Sequence, residues 1–250
     1  MMPTLPTVER QSLAGRIKRC CLRAAFAIVV CLVLYEIVSV VWTTFTPQSV
    51  VDRAKSTGDV DKLISLLGNA DAEMRWRAAN AVADLNAARA LPELRNVVND
   101  SDGFVRVHAL IAIWRIEHRL GNVLPLLIES RSDESAGVRR LAVSAIGQIG
   151  EKSDGAEAAV LSSLDDRDAD VRIAAAAALA RIKPSSEVAV PALIRMLNDD
   201  VAAARRGAVA SLAHFGRDAG VAEPKLRAML DQSDSRMQWE INQALQRISQ

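Results

Sequence analysis

The sequence predicts an all-α solenoid, a superhelix of about six stacked helical hairpins, following an N-terminal transmembrane helix. Three observations predict this. One phrase, an apolar residue followed by Arg and then Ala and aliphatic residues at helical spacing, recurs six times between Met74 and Gln238. Its Arg positions are Arg75, Arg106, Arg139, Arg172 and Arg205, with Gln238 in the sixth place, and they are separated by 31, 33, 33, 33 and 33 residues. A fixed period of this size marks an array in which each unit buries its apolar face only against its neighbours. Composition agrees: 50% of the residues are apolar but only 4% are aromatic, so the core is built from small and aliphatic side chains on closely packed helices. The third observation is a 21-residue apolar stretch near the start.

That stretch, Leu22 to Trp42, has about the length needed to cross the bilayer's hydrocarbon as a helix. Residues 1–21 form a short basic tail, and Arg10, Arg16, Lys18, Arg19 and Arg23 precede the apolar core of the segment. By the positive-inside rule the tail stays in the cytoplasm and the array is expected outside it, in the periplasm if the host is bacterial. Tyr35 and Trp42 sit where aromatic side chains favour the interface. Glu36 is costly at depth, and is expected near the outer interface or in contact between anchor helices. A cleaved signal peptide would need small residues before the cleavage site, and none stand there. A lipoprotein would need a small residue before its Cys, whereas Cys31 follows Val30 and Cys20 follows Arg19. A buried core helix would leave the basic flank unexplained. Cys20 and Cys21 are lipidation candidates in a eukaryotic host.

Residues 43–58 read as a connector containing Pro47 and Gly58, with a capping helix near Val50–Lys55, and residues 59–250 as the repeat domain. Each unit divides into two helices. The first carries Leu63, Leu94, Leu127, Val160, Leu193 and Leu226 at one position. Four residues later stand Leu67, Val98, Arg131, Leu164, Leu197 and Leu230. Pro92, Pro125, Pro191 and Pro224 lie two residues before the first set. Proline is tolerated in a first helical turn, so these are expected to mark where the first helices begin. In the second helix, counting from the Arg, core positions fall at −1, +3, +4, +6, +7 and +10, with small Ala at +3 and +6 to let helices approach closely. In the last unit Asn242 takes a core slot beside Gln243 and Gln246, the polar composition expected of a capping repeat.

Six residues before each interior Arg stands an Asp: Asp100 before Arg106, Asp133 before Arg139, Asp166 before Arg172 and Asp199 before Arg205. Asn69 and Gln232 replace it at the ends. Both groups sit at the turn between helices, so stacking aligns acids and guanidiniums in a row. There a carboxylate can accept from a neighbour's Arg and from the N-terminus of the second helix. Catalysis needs one constellation, whereas a structural ladder needs one rung per unit. These eight residues are therefore read as structural.

This phrase closely resembles the short HEAT-like repeats of the phycobilin-lyase type found in bacteria. The likeness is carried by Asp166–Arg172 with Ala175, Ala178, Leu179 and Ile182, and by Pro191 to Leu197 leading into Asp199. It covers roughly residues 59–250. Two enzyme types share the scaffold. The hydroxylases bind paired irons through repeated His-Glu dipeptides, but this chain has three His and no His-Glu. Bilin lyases need a polar, acid-lined cleft, and the array has no Tyr and no Cys. His108 and His118 do not share a helix face, so metal-ligand spacing is missing. There is no phosphate loop and no nucleophile elbow. No cofactor, no metal and no catalysis are expected. Residues 51–250 hold 26 basic and 28 acidic side chains, so nucleic acid is not an expected partner either.

A protein partner is expected instead. Positions +1, +5 and +8 lie opposite the core and hold Trp76, Asn80, Val107, Ile111, Trp114 and Ile173. Arg77, Arg115 and Arg181 flank them at +2 and +9. Second helices of HEAT-like arrays line the concave side, so these residues would form an apolar strip edged with cations, a composition typical of interface hot spots. The competing reading is that +1 and +8 only pack between adjacent second helices.

Overall fold

A computed structural model describes residues 35, 46–119, 121, 123–150 and 154–250. The chain divides into two compact units, Met1–Arg53 and Ala54–Gln250. In the first unit Tyr35 is helical and exposed. Helix α1 (Pro47–Ser56) begins there after Thr46, whose hydroxyl accepts the Ser49 N–H.

The second unit is a run of six helical pairs: α2 (Val60–Leu66) with α3 (Ala72–Asp84), α4 (Leu91–Val97) with α5 (Gly103–Glu117), and α6 (Val123–Ser130) with α7 (Ala136–Ile149). Then come α8 (Asp154–Ser163) with α9 (Ala169–Ile182), α10 (Ser186–Met196) with α11 (Ala202–Phe215), and α12 (Glu223–Met229) with α13 (Ser235–Ile248). Among the described residues all regular structure is helical, and 3-10 turns at Ala88–Ala90, Gly216–Ala222 and Leu230–Gln232 complete it. Each second helix packs on the second helix of the pair before it.

Local signals start these helices. Asp71, Asp102, Asp168 and Asp234 are N-caps whose carboxylates accept the N–H groups of Glu73, Val105, Asp170 and Met237. Capping satisfies donors that have no partner inside the helix. The six equivalent aliphatics of the first helices, Leu63 to Leu226, are all completely buried. The second-helix core follows the expected offsets: Val171, Ala175, Ala176, Ala178, Leu179 and Ile182 are all buried in α9. Small residues set the spacing. A Cβ on Gly147 in α7 would lie 2.5 Å from Ala178 Cβ and 2.8 Å from its Cα, so only glycine permits the observed approach of α7 and α9.

Two expectations change. Pro191 does not open its helix: α10 starts five residues earlier, at Ser186. The missing proline N–H is tolerated within this helix, and Val190 and Ala192 beside it are buried. Asn242 is not in the core. It is exposed on α13. Arg131, in an aliphatic slot, is half-buried with its Nε unpaired, and nothing in the structure explains that choice.

The expected membrane topology is also corrected. Among the described residues no helix is long and apolar enough to cross a membrane. The longest, α5, has 15 residues and rises only about 22 Å, against roughly 30 Å of hydrocarbon. That finding overturns the single-pass placement with an extracytoplasmic array. The stretch first read as the anchor, residues 22–42, lies outside the described residues apart from Tyr35, as do Arg19, Arg23, Glu36 and Trp42.

Candidate functional site

The Asp/Arg ladder is the most regular polar feature of the array. Each guanidinium has two jobs. Its Nη1 donates to carbonyls of its own turn, as Arg139 does to Asp133 (3.1 Å) and Glu134 (3.0 Å). Its Nε and Nη2 edge grips the Asp of the next unit: Arg75 on Asp100 at 2.7 and 2.7 Å, Arg139 on Asp166 at 2.8 and 2.8 Å, and Arg172 on Asp199 at 2.7 and 2.7 Å. Arg106 reaches Asp133 through Nη2 alone, at 2.8 Å. Each Asp also accepts the backbone N–H two residues on, from Asp102, Ser135, Asp168 and Val201, at 2.8–2.9 Å.

Two-pronged pairing strengthens and orients these contacts. The Arg172 hydrogen bonds hold the Asp199 carboxyl down at about 2 against the opposing effect of burial. Arg139 likewise lowers Asp166. At Asp100 burial works upward, but hydrogen bonds from Arg75 and the Asp102 N–H outweigh it and the net shift is downward. The partner arginines Arg75, Arg139 and Arg172 are raised, chiefly by the same hydrogen bonds. Chemically these groups bolt one unit to the next.

The ladder stops at Arg205. Its Nη1 donates to the Asp199 and Asp200 carbonyls, at 2.7 and 3.1 Å. The next rung position holds Gln232, which is exposed and does not reach it. Gln238 keeps only the local half of the pattern, donating to the carbonyls of Leu230 and Ser233 at 3.0 Å each.

The opposite face of the second helices carries the aromatic cluster. The rings of Trp76 (α3) and His108 (α5) stack with centroids 4.9 Å apart and planes 23° apart. The Arg77 guanidinium carbon lies 4.5 Å from the Trp76 ring, a cation–π contact, while its head pairs with Glu73 at 2.7 Å. His108 Nδ1 is 3.1 Å from Asn80 Oδ1, and with that oxygen accepting, the imidazole proton sits on Nδ1. Burial pushes the His108 pKa down to about 4, so the ring is neutral near pH 7. Further along the same helices Arg115 bonds Asp84 at 2.6 Å, and Lys55 bonds the same carboxylate at 2.5 Å. Burial alone would raise Asp84, but these two cations outweigh it and lower it.

Among the residues predicted for this strip, Trp76, Arg77, Asn80, Ile111, Trp114, Arg115 and Ile173 are half-buried, and Arg181 is exposed. Val107 is removed from the list, since it is completely buried between helices and offers nothing to a partner. Ile173, Ala177, Ala180 and Arg181 of α9 face Gly207, Ala210 and His214 of α11 across a cleft of about 280 Å³. Sequence reasoning weighed His108 for metal-ligand spacing. The +1 Trp meets the +2 His of the following unit through the register between helices, which no single unit's pattern reports. Among the described residues no group of three His, Cys, Asp or Glu is placed to hold a metal.

The family model for HEAT repeats matches residues 60–130 and 123–213, most of the chain. The chain belongs to the HEAT-repeat family. No functionally curated protein matches this HEAT-repeat chain in sequence. Among solved structures it is similar to an engineered protein (TM-score 0.54, 23% identity, covering 76% of this chain and 96% of that one). A designed armadillo repeat protein in complex with the peptide (KR)4 is also similar (TM-score 0.58, 19% identity, 76% and 99% covered). A more distant likeness is to CpcE and CpcF of phycocyanin lyase from Nostoc sp. PCC7120 (TM-score 0.45, 20% identity, 82% and 95% covered). These likenesses concern the fold of HEAT-repeat and related helical solenoids alone.

Proposed function

We propose that this HEAT-repeat protein is a protein-binding scaffold without catalytic activity, and that the partner lies across the outward face of its second helices. The observation that carries this reading is the cluster of Trp76, His108 and Arg77 with Trp114 and Ile111 nearby. Half-buried aromatics beside guanidiniums are the composition that anchors protein partners. The cleft at Ile173 and Ala177 has the size of a side chain rather than of a cofactor.

Charge narrows the partner's chemistry. On this face Arg77 and Arg115 are paired internally, whereas Arg140 and Arg181 are exposed and make no ion pair among the described residues. A partner segment with apolar anchors and acidic neighbours therefore suits the face.

The test is capture of partners from the native host with the full chain as bait, beside a variant carrying Trp114→Glu and Arg181→Glu. The expected result is loss of the captured protein with the helical circular dichroism unchanged. Undiminished capture by the folded variant refutes the assignment of this face.

A further inference from the structure

We infer that the open rung at Arg205 is a binding site for a carboxylate supplied by a protein partner, an acidic side chain docking where the array's own Asp is missing. Four rungs of this protein show what the constellation binds. In each, a guanidinium edge of one unit and a backbone N–H at the start of the next second helix converge on a single carboxylate. At the fifth rung the same donors are present and the acceptor is not. Arg205 Nε and Nη2 make no hydrogen bond among the described residues, while its Nη1 is anchored on two carbonyls, so the side chain is held in place. The Asp234 N–H occupies the place taken elsewhere by Asp102, Ser135, Asp168 and Val201, and it too has no acceptor there.

These donors border one cleft of about 630 Å³, within the range of binding pockets for small ligands. Its charged lining is Arg205, Arg206, Lys225, Asp199 and Asp234. Both acids are already engaged: Asp199 by Arg172 and the Val201 N–H, Asp234 by the Met237 N–H. Arg205, Arg206 and Lys225 make no ion pair among the described residues, so the cleft favours an anion. A planar carboxylate is the species this donor geometry already closes on four times, and a cleft this open admits the peptide segment that bears it. The site is formed by the turns between helices and shares no residue with the Trp76–Trp114 strip, so it stands or falls apart from the reading above.

The test follows the Nε–H resonance of Arg205 in the full chain during titration with the capped peptide acetyl-Gly-Asp-Gly-amide. Its Asn counterpart and inorganic phosphate provide the other arms. The expected result is a saturable shift with the Asp peptide, none with the Asn peptide, and no shift at Arg139 or Arg172, whose forks are filled. Gln232→Asp supplies the missing rung from within, and is expected to weaken peptide binding by at least about tenfold, or roughly 1.4 kcal/mol, in a chain that stays folded. Absence of a saturable shift overturns the site, as does a shift that Gln232→Asp leaves intact. Phosphate saturating at roughly tenfold lower concentration than the Asp peptide overturns its assignment to a carboxylate.

Discussion

Replacing Asp166 by Ala removes the acceptor for three hydrogen bonds, two from Arg139 at 2.8 Å and one from the Asp168 N–H at 2.8 Å. The Arg139 side chain is only 6% exposed, so its Nε and Nη2 are left charged, dry and unpaired, with Nη1 alone still on carbonyls. Breaking a pair this buried costs about 3 kcal/mol. Asp133 offers an internal comparison, because Arg106 grips it through one bond and is 30% exposed. Water can re-solvate that guanidinium, and Asp133→Ala is expected to cost about 1 kcal/mol. For a unit of this size the melting temperatures should fall by about 6–12 °C and about 2–4 °C respectively. Urea unfolding followed by helical circular dichroism measures both losses. Because Asp166 joins the third pair to the fourth, its loss should also broaden the transition, as the halves uncouple. Equal losses in the two variants, or a loss below about 1 kcal/mol at Asp166, would refute the claim that burial and two-pronged geometry make the ladder stabilising.

Acid should act in two stages. His108 has a folded pKa of about 4 against an ordinary 6.5, so the unfolded chain takes up its proton first and stability falls as pH drops between those values. The full shift corresponds to about 3 kcal/mol, which partial solvent access reduces to about 2, and His108→Gln should flatten this stage in a pH series of urea midpoints. Asp100, Asp166 and Asp199 are depressed instead: their contribution is complete above pH about 4 and is lost as pH falls toward the folded value of about 2 seen at Asp199. Gly147→Ala should destabilise by about 2 kcal/mol despite better helix propensity, since the new methyl meets Ala178 at 2.5 Å, and a neutral or raised melting temperature would show that α7 and α9 can part freely. Gln232→Asp should raise the melting temperature by a few degrees, as a fifth carboxylate joins the ladder, and an unchanged value would show that the Leu230–Gln232 turn cannot present it.

The fold was legible because its signals are local and repeated. A buried aliphatic at Leu63 recurs at Leu94, Leu127, Val160, Leu193 and Leu226, and the capping Asp residues stand where the second helices start. Pro191 misled because an interior proline costs a helix one hydrogen bond without excluding the helix, so its presence does not fix where the helix begins. The aromatic strip was legible in part. Helical phase places Trp76 and Val107 at the same +1 offset, yet one stacks at the surface and the other is completely buried. Phase describes one helix, and burial depends on what the neighbouring helix brings against it.

By itself the sequence determined the repeat, the helix pairs and the existence of a ladder, since each follows from residues within one period and from the rule that apolar faces must be covered. Only the tertiary structure decided which unit each Arg serves: the guanidinium closes its own turn with one nitrogen and reaches the next unit with the others. It also decided that Arg205 and Asp234, from successive units, line one cleft. Those facts depend on the stacking register between units, which is set by the fit of side chains such as Gly147 against Ala178, and no pattern confined to one unit encodes it.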